Sequence, residues 1–344
     1  MFIENAVQSV RPYQLACLIC RAGAQTLHPN QERVAALAEL IRRTPDVPLM
    51  LRCNLGDLFA YQNCGTADDT PEGAEFNRKR DADLLQWLDL APGTILPARL
   101  LLKRLLFRLP SVAGICGYDR VTGPAWKGCA KAFSGDYERG RERGIEALIP
   151  ARSKAEMAAE KERSMQVLGK DGPIPVRPHL LLCAICQYGN GVRPPYPEDN
   201  LPELLEQALS PTCTLQIRFV TGATWAVCAS CPQFTAAGCC VTGRLSGAGL
   251  YNEAKDLNAL QAMGLTYGTV MGARDLFRLI LERVPTVDGV CALNRVPLPE
   301  HSVWLDGCHG TVFPGPYERG RAALWAAFGC AGSPDDRPAG RQQS

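Results

Sequence analysis

Cysteine is the residue type whose number and spacing predict chemistry in this chain. The 344 residues include 16 cysteines, several of them in C-x-x-C or C-C arrangements. The first five residues lack the basic start and apolar stretch of a secretory signal, and cytosolic thiols are kept reduced. We therefore expect the cysteines to bind metal, with a disulfide framework in an exported protein as the alternative.

The overall composition excludes several function classes. Formal net charge is +2 and charged residues make up 21% of the chain, so no global field selects nucleic acid or an anionic membrane. No apolar run is long enough to cross a bilayer. These observations predict a cytoplasmic protein without a membrane partner and without a specific nucleic-acid signal.

The same pattern occurs twice along the chain. The run RPYQLACLIC at 11–20 returns as RPHLLLCAIC at 177–186, with six of the ten positions identical. A second block aligns 81–116 with 256–291, and 15 of its 36 positions are identical. The run YERGR occurs unchanged at 137–141 and 317–321. This repetition predicts tandem duplication of one domain.

The duplication sets the expected domain boundaries. The first cysteine-rich repeat spans 11–150 and the second spans 174–329. The segment 151–173 is expected to be a helical linker, because Ser153 and Glu156 form a capping box at its start. The tail, 330–344, is rich in Gly, Pro, Ser and Asp and is expected to be disordered.

Hydrophobic periodicity predicts an α+β fold that is mostly helical. Each repeat is expected to open with a β-α-β unit with parallel strands. The second repeat would use an apolar strand at 180–182, a helix near 201–209 and a strand at 215–220. Two further helices are expected near 78–90 and 97–109, their counterparts near 253–263 and 273–284, and a last helix near Tyr137 or Tyr317.

Five cysteine positions recur in both repeats and are the expected metal ligands. The first two positions form a C-x-x-C motif, which is expected directly after the first strand. The third position is expected after the second strand. The last two positions stand beside glycines, which let the backbone approach a cluster closely. Four thiolates suffice for a [4Fe–4S] or [2Fe–2S] cluster or for a structural zinc, and the sequence does not identify which of the five cysteines is not a ligand. The candidates are Cys17, Cys20, Cys64, Cys116 and Cys129 in the first repeat, and Cys183, Cys186, Cys228, Cys231, Cys291 and Cys308 in the second, where Cys228 and Cys231 both stand at the third position.

The second repeat carries additional cysteines. Cys228 and Cys231 form a C-x-x-C-P run like a ferredoxin cluster loop, and Cys239 and Cys240 follow, so an extra cluster is possible there. Cys53 aligns with a strand position of the second repeat and is interpreted as a core residue. Cys213 and Cys330 have no counterpart and are interpreted as thiols without a metal role.

A part of the second repeat resembles a known family. The RPHLLLC run at 177–183, together with WAVCASCP at 225–232 and Cys239, resembles an uncharacterised family of small cysteine-rich prokaryotic proteins. Those proteins open with R-x-H-H-L-L-C and carry later cysteines near a D-x-x-C-x-x-C stretch. The resemblance covers 177–240, with Leu180 in place of the second histidine, and Tyr13 and Gln14 replace both histidines in the first repeat. It implies an iron–sulfur cluster and no particular activity.

Three polar features have both a chemical and a structural interpretation. His179 could be a ligand or a proton donor, but a structural role is favoured because the first repeat has Tyr13 there. His309 follows Cys308 and could replace a thiolate, although the first repeat has Ala130. The arginines of YERGR could tune an anionic cluster or could lie on a solvated helix start.

The leading functional hypothesis is an iron–sulfur protein in electron transfer or redox sensing. One cluster per repeat is expected, of the [4Fe–4S] type, with a redox partner protein. A zinc-stabilised scaffold for protein interaction is the alternative, and a cluster-dependent enzyme with an open iron site is the second. No nucleotide-binding glycine loop or nucleophile elbow is present, so the sequence leaves open whether the chain is an enzyme.

Overall fold

A computed structural model of the chain describes residues 6–24, 31–232, 234–235, 238–239, 250–291 and 315–334. The architecture is α+β and mostly helical, with two small three-stranded sheets. The chain divides into two units, an N-terminal unit at Met1–Ala151 and a C-terminal unit at Arg152–Ser344.

The N-terminal unit builds one sheet and packs helices against it. Its elements in chain order are β1 (Gln8–Val10), α1 (Pro12–Gly23), α2 (Gln31–Arg43), β2 (Pro48–Leu51), α3 (Ala74–Leu88), β3 (Ile95–Pro97), α4 (Ala98–Arg108) and α5 (Asp136–Arg143). Short 3-10 turns occupy Asp57–Gln62, Pro124–Trp126 and Ile145–Ala147. Strand β2 is central: it pairs in parallel with β1 and antiparallel with β3.

The C-terminal unit contains a sheet of the same order. Its elements are α6 (Lys154–Val167), β4 (Ile174–Val176), α7 (Pro178–Gly189), α8 (Leu201–Leu209), β5 (Gln216–Phe219), α9 (Trp225–Cys228), β6 (Phe234–Thr235), β7 (Gly238–Cys239), α10 (Leu250–Met263), β8 (Val270–Gly272), α11 (Ala273–Arg283), α12 (Asp288–Cys291) and α13 (Pro316–Trp325). Strand β5 pairs in parallel with β4 and antiparallel with β8, and β6 pairs antiparallel with β7.

Each unit buries its own apolar core between the sheet and the helices. In the N-terminal unit, Leu15 and Ile19 of α1 meet the alternating inward residues of β2, Leu49 and Leu51, and none of the four is exposed by more than 1%. Helix α4 contributes a continuous apolar stripe, as its leucine spacing predicts. The C-terminal core is built in the same way around Ile185, Ile217 and Phe277.

Most of the expected helices are confirmed, but the strand at 180–182 is wrong. Those three leucines lie in helix α7, and both C-x-x-C motifs are therefore helical rather than on turns that leave a strand. The first strand of each unit is instead β1 or β4, directly before the helix. Pro12 and Pro178 stand at the first helical position, where proline's fixed φ favours helix and its missing N–H removes no bond.

Ser153 caps the start of helix α6, since its hydroxyl accepts a hydrogen bond from the Glu156 N–H at 3.1 Å, while the Glu156 carboxylate pairs with Arg152 rather than returning to the Ser153 N–H as the expected capping box requires. The helix belongs to the C-terminal unit and packs on α9. Of the expected disordered tail, 335–344 lie outside the described residues. Among the helices that are described, none is long and apolar enough to span a membrane.

A buried ion pair fixes the start of helix α1. Arg11 Nε lies 2.6 Å from Asp81 Oδ2, and the other oxygen of Asp81 accepts the Tyr13 backbone N–H at 3.0 Å. Both charged side chains are buried, at 1% and 0% exposure. Asp81 belongs to α3, so one carboxylate ties α3 to the positively polarised end of α1.

The C-terminal unit repeats this pair atom for atom. Arg177 Nε lies 2.7 Å from Asp256 Oδ2, and Asp256 Oδ1 accepts the His179 backbone N–H at 3.1 Å. Asp256 lies in α10 and is fully buried. The start of α7 is therefore fixed in the same way as the start of α1.

Two glycines let the other end of α1 touch α5 backbone to backbone. A Cβ on Gly23 would stand 2.0 Å from the Asp136 carbonyl oxygen, and a Cβ on Gly140 would stand 2.0 Å from the Ile19 carbonyl oxygen. Gly189 and Gly320 make the matching approach between α7 and α13. The glycine of each YERGR run is therefore required by helix packing.

The other residues of YERGR also have structural partners. Tyr137 donates a hydrogen bond to the Leu109 carbonyl at 3.1 Å, and Arg139 and Arg141 donate to the carbonyls of Gly23 and Leu106. Tyr317, Arg319 and Arg321 make the equivalent bonds to Val284, Gly189 and Leu281. The motif thus caps the C-terminal ends of neighbouring helices, which neither interpretation of the sequence anticipated.

Replacing Asp81 by asparagine tests the role of the buried pair. Asp81→Asn leaves Arg11 buried with its main counter-charge removed, and breaking such a pair costs about 3–5 kcal/mol in the free energy of unfolding. Asp83→Asn is the matched control, because Asp83 pairs with the partly exposed Lys79 on the same helix and the change should cost about 0.5 kcal/mol or less. Urea unfolding measures the free energy of unfolding of both variants. Equal losses of stability in the two would contradict the structural role assigned to the buried Arg11–Asp81 pair.

Candidate metal centre

Helix α1 presents the first C-x-x-C motif on one face. Cys17 and Cys20 are three residues apart, a spacing that makes them neighbours on a helix surface. Cys20 is buried and Cys17 is partly buried. Asp81 fixes one end of α1 and Gly140 packs on the other, so the motif stands on a firmly held helix rather than on a loop.

Two further cysteines come from the segments after α4. The chain turns at Val112, whose carbonyl accepts the Cys116 N–H at 2.8 Å. The Cys129 N–H then bonds to the Cys116 carbonyl at 2.7 Å, which brings the two residues side by side. Gly128 makes this approach possible: its φ is +77°, and a Cβ there would lie 2.9 Å from the Cys116 carbonyl oxygen.

The four cysteines are close enough to affect one another's ionisation. Burial raises the pKa of Cys17 to about 12, against the opposing charge of Arg80, and the Cys116 and Cys129 thiols add to the rise. Burial also raises the pKa of Cys20, and the thiols of Cys17, Cys116 and Cys129 contribute to the rise. For Cys116 burial raises the pKa to about 11. Four thiols from three separate segments therefore form one group, which we call the N-terminal cysteine group: Cys17, Cys20, Cys116 and Cys129.

Arg80 places a buried positive charge beside this group. The side chain is 2% exposed, its guanidinium carbon lies 3.9 Å from the centre of the Tyr13 ring, and its Nη2 donates to Asn77 Oδ1 at 2.5 Å. Its charge and a hydrogen bond act to lower the pKa of Cys116 against the effect of burial. Its Nε has no hydrogen-bond partner among the described residues. Arg80 is thus a donor and a counter-charge suited to a cluster of thiolates.

A cavity of about 460 Å³ opens beside Cys17 and Cys129. Its wall also includes Tyr13, Arg80 and Glu72. Space is therefore available next to two of the four thiols.

Cys64 lies apart from the N-terminal cysteine group in its contacts. Its thiol is 3.7 Å from Asn54 Oδ1 and from the Gly65 carbonyl oxygen. Its electrostatic neighbours include Arg11 and Cys53. Cys53 is fully buried in the core, as expected. The structure brings four of the five expected ligands of the first repeat together and places Cys64 with Cys53.

The C-terminal unit reproduces part of this arrangement. Cys183 and Cys186 lie three residues apart on α7, and Cys291 ends α12. Burial raises the pKa of Tyr317 well above its usual value, and the Cys186 and Cys291 thiols contribute, so both lie near that hydroxyl. Cys308, the expected fourth ligand, and His309 lie outside the described residues.

Different polar residues surround the second C-x-x-C motif. Lys255, 3% exposed, stands at the alignment position of Arg80. His179 replaces Tyr13 and its Nδ1 lies 2.5 Å from Asp256 Oδ1. Burial lowers the pKa of His179 to about 4, and the charge of Lys255 lowers it too, so the imidazole is neutral near pH 7. A neutral ring donates through Nδ1–H to the carboxylate and keeps its Nε2 as an acceptor.

The additional cysteines of this unit follow strand β5, as expected. Cys228 ends helix α9, and the Cys231 N–H bonds to the Cys228 carbonyl at 3.0 Å. Arg152 donates to the carbonyl oxygens of Ala229 and Cys231, each at 2.8 Å. Cys239 lies in β7, and Cys240 lies outside the described residues.

The donor chemistry of the N-terminal cysteine group fits a metal centre, but no ready-made mononuclear site is visible. In the parts of the chain that the structure describes, no three His, Cys, Asp or Glu side chains are placed so that they could hold one metal ion. Four soft sulfur donors, a buried cation and an unpartnered N–H nevertheless match the needs of a cluster, in which each thiolate binds a different iron.

Sequence analysis did not identify the charged residues that complete this site. Arg80 lies in a polar run, NRKRD at 77–81, that is typical of a solvated helix face. A signal was present in the aligned blocks, because Asp81 and Asp256 are identical and the preceding residue is basic in both. An invariant acid next to a basic residue on an otherwise amphipathic helix could have indicated a buried pair.

Comparison with known proteins identifies no relative. No protein-family model matches the chain, and no curated protein and no solved structure matches it. The function therefore has to be argued from the site.

The buried thiols predict that the metal-free protein becomes less stable in alkali. Thiols of the unfolded chain ionise near pH 9, whereas Cys17 and Cys116 ionise near 12 and 11. Folding therefore holds their protons more tightly: the contribution is complete below pH 9 and is lost as the pH rises towards 11–12. The free energy of unfolding, measured with urea, should fall more steeply between pH 8 and 10.5 in the wild type than in the Cys17→Ala/Cys116→Ala variant. Parallel curves would contradict the burial of these thiols.

Proposed function

We propose that the N-terminal cysteine group binds an iron–sulfur cluster, of the [4Fe–4S] type, and that the chain transfers electrons or senses redox state. The observation that carries the proposal is the convergence of four cysteines from three separate segments beside the buried Arg80. Free cysteines are often buried as small apolar residues, but a buried guanidinium beside four of them is a suitable counter-charge for thiolates. When bound, the cluster supplies a one-electron redox centre.

The chain's own residues would each have a defined task. Cys17, Cys20, Cys116 and Cys129 are the thiolate ligands, and Cys64 is the bystander among the five recurring positions. Arg80 offsets the negative charge of the thiolates, which favours the more reduced state of a centre by stabilising added negative charge. Its unpartnered Nε–H is available to a sulfur acceptor, and a cluster offers inorganic sulfides beyond the thiolates.

We further propose that the two units are copies of one domain and that each holds a centre. Support comes from the aligned sequence blocks, the same strand order in both sheets, and the matched Arg–Asp pairs. The second centre would use Cys183, Cys186, Cys291 and Cys308. Lys255 in place of Arg80 and His179 in place of Tyr13 would give it a different potential from the first. Cys228, Cys231, Cys239 and Cys240 are candidates for a third centre.

The proposal is tested by the metal content of protein purified without oxygen. The wild type should be brown and contain iron and acid-labile sulfide. Cys17→Ser should lose iron and cluster absorbance, because a hydroxyl is a poorer ligand for iron than a soft thiolate. It should also lower the melting temperature, because cluster binding contributes to folding.

Cys64→Ser and Cys330→Ser are the matched controls for the same chemical change. Both should keep the iron content and absorbance of the wild type. If the purified protein were colourless and contained stoichiometric zinc, the result would contradict the cluster and favour a zinc-stabilised scaffold. Equal iron in all three variants would show that the N-terminal cysteine group is not the ligand set.

A further inference from the structure

The segment that carries Cys116 and Cys129 also forms an exposed surface. The chain between these cysteines forms a loop, in which the rings of Tyr118 and Trp126 pack together with their centres 6.3 Å apart. Phe133, just beyond Cys129, lies with its ring over the backbone of Gly117, since a Cβ on that glycine would be 2.9 Å from the ring. The aromatic ring therefore packs on Gly117, the residue that follows Cys116 in the chain.

Apolar side chains on this surface are unusually exposed. Phe133 is 62% exposed and Val121 is 56% exposed. A large ring that packs on one side against Gly117 and presents its other side to solvent is a typical anchor of a protein contact. We call the exposed residues of 117–133 the loop face, and its apolar members are these two.

The loop face is basic. Residues 117–133 contain Arg120, Lys127 and Lys131 but a single acidic residue, Asp119. Arg120 and Lys127 are exposed, and neither takes part in an ion pair within the described parts of the chain. Arg120 and Lys127 therefore place exposed positive charge on the same loop as the apolar residues Val121 and Phe133.

We propose that the loop face docks an acidic electron-transfer protein, so that electrons enter or leave the N-terminal centre there. The inference rests on the proposed function, because it needs a redox centre behind the loop. Charge complementarity selects the partner: cations on the same loop as an exposed aromatic residue attract a negatively charged surface and raise the association rate at low salt. Phe133 brings the contact to the segment that carries Cys116 and Cys129, which shortens the path to the centre.

Two high-potential proteins of opposite charge serve as probes of the full-length chain. The acidic blue-copper protein plastocyanin and the basic haem protein cytochrome c each accept one electron, as Cu(II) becomes Cu(I) or Fe(III) becomes Fe(II) while the chain's reduced centre loses one. Stopped-flow rates with the reduced wild type should favour plastocyanin at low ionic strength, and that advantage should shrink as salt is added.

Charge reversal on the loop face should remove the preference. Arg120→Glu/Lys127→Glu should slow oxidation by plastocyanin about tenfold at low ionic strength and should speed oxidation by cytochrome c. Phe133→Ser should slow the plastocyanin reaction, and Phe133→Leu, which keeps an apolar side chain, should restore much of the rate. Arg42→Glu/Arg43→Glu is the matched control: it makes the same change in net charge at two exposed residues of α2 and should leave both rates near the wild type.

Iron content and absorbance, measured first, separate the two proposals. A wild type without iron would overturn the proposed function and the docking proposal with it. Variants with full iron content but wild-type rates towards both probes would overturn the docking proposal alone. A loss of rate in Arg42→Glu/Arg43→Glu equal to that in Arg120→Glu/Lys127→Glu would do the same, since the effect would then be one of overall charge.

Discussion

A buried arginine–aspartate pair fixes each helix that carries a C-x-x-C motif, and the candidate centres depend on it. Asp81 uses one oxygen for Arg11 and the other for the first turn of α1, and Asp256 does the same for Arg177 and α7. Asp256 Oδ1 also accepts a hydrogen bond from His179 Nδ1, which strengthens the hold on the start of α7. The pair therefore specifies where the helix begins and which helix face meets α3 or α10. The C-x-x-C face follows from that orientation, because the cysteines stand one to two turns further along.

Close helix packing completes the positioning from the opposite end. Gly23 and Gly140 allow α1 and α5 to touch through their backbones, and the arginines of YERGR satisfy carbonyl groups at helix ends. Burial within this packed region raises the pKa values of the Cys17, Cys20 and Cys116 thiols and strengthens the influence of Arg80 on them. In the metal-free chain, burial keeps these thiols protonated. A metal that prefers soft sulfur ligands would therefore release their protons when it binds.

Local patterns predicted most helices but not the element that carries the chemistry. The leucine spacing of 101–109 and 201–209 directly predicts amphipathic helices, and Ser153 marks the start of α6 as its N-cap residue. The run Leu180–Leu182 is too short for its period to distinguish a strand from a buried helix, and the deciding contact comes from Asp256, 77 residues from His179. The candidate cysteines could be predicted because cysteine is a rare residue type and its positions repeat in the two halves of the sequence. Arg80 lies in a polar run that is typical of a solvated helix face, and only the fold places it beside the cysteines. The exclusion of Cys64 likewise follows from contacts with Asn54 and Gly65 that no spacing rule contains.

The central claim is that the N-terminal cysteine group and its counterpart hold iron through sulfur. X-ray absorption of the anaerobically purified full-length chain at the iron and zinc edges tests it most directly. The account predicts an iron signal with a first shell made of sulfur and a second shell made of iron, weakened in Cys17→Ser and unchanged in Cys64→Ser. A protein with no iron signal, or with iron surrounded only by oxygen and nitrogen, would contradict it.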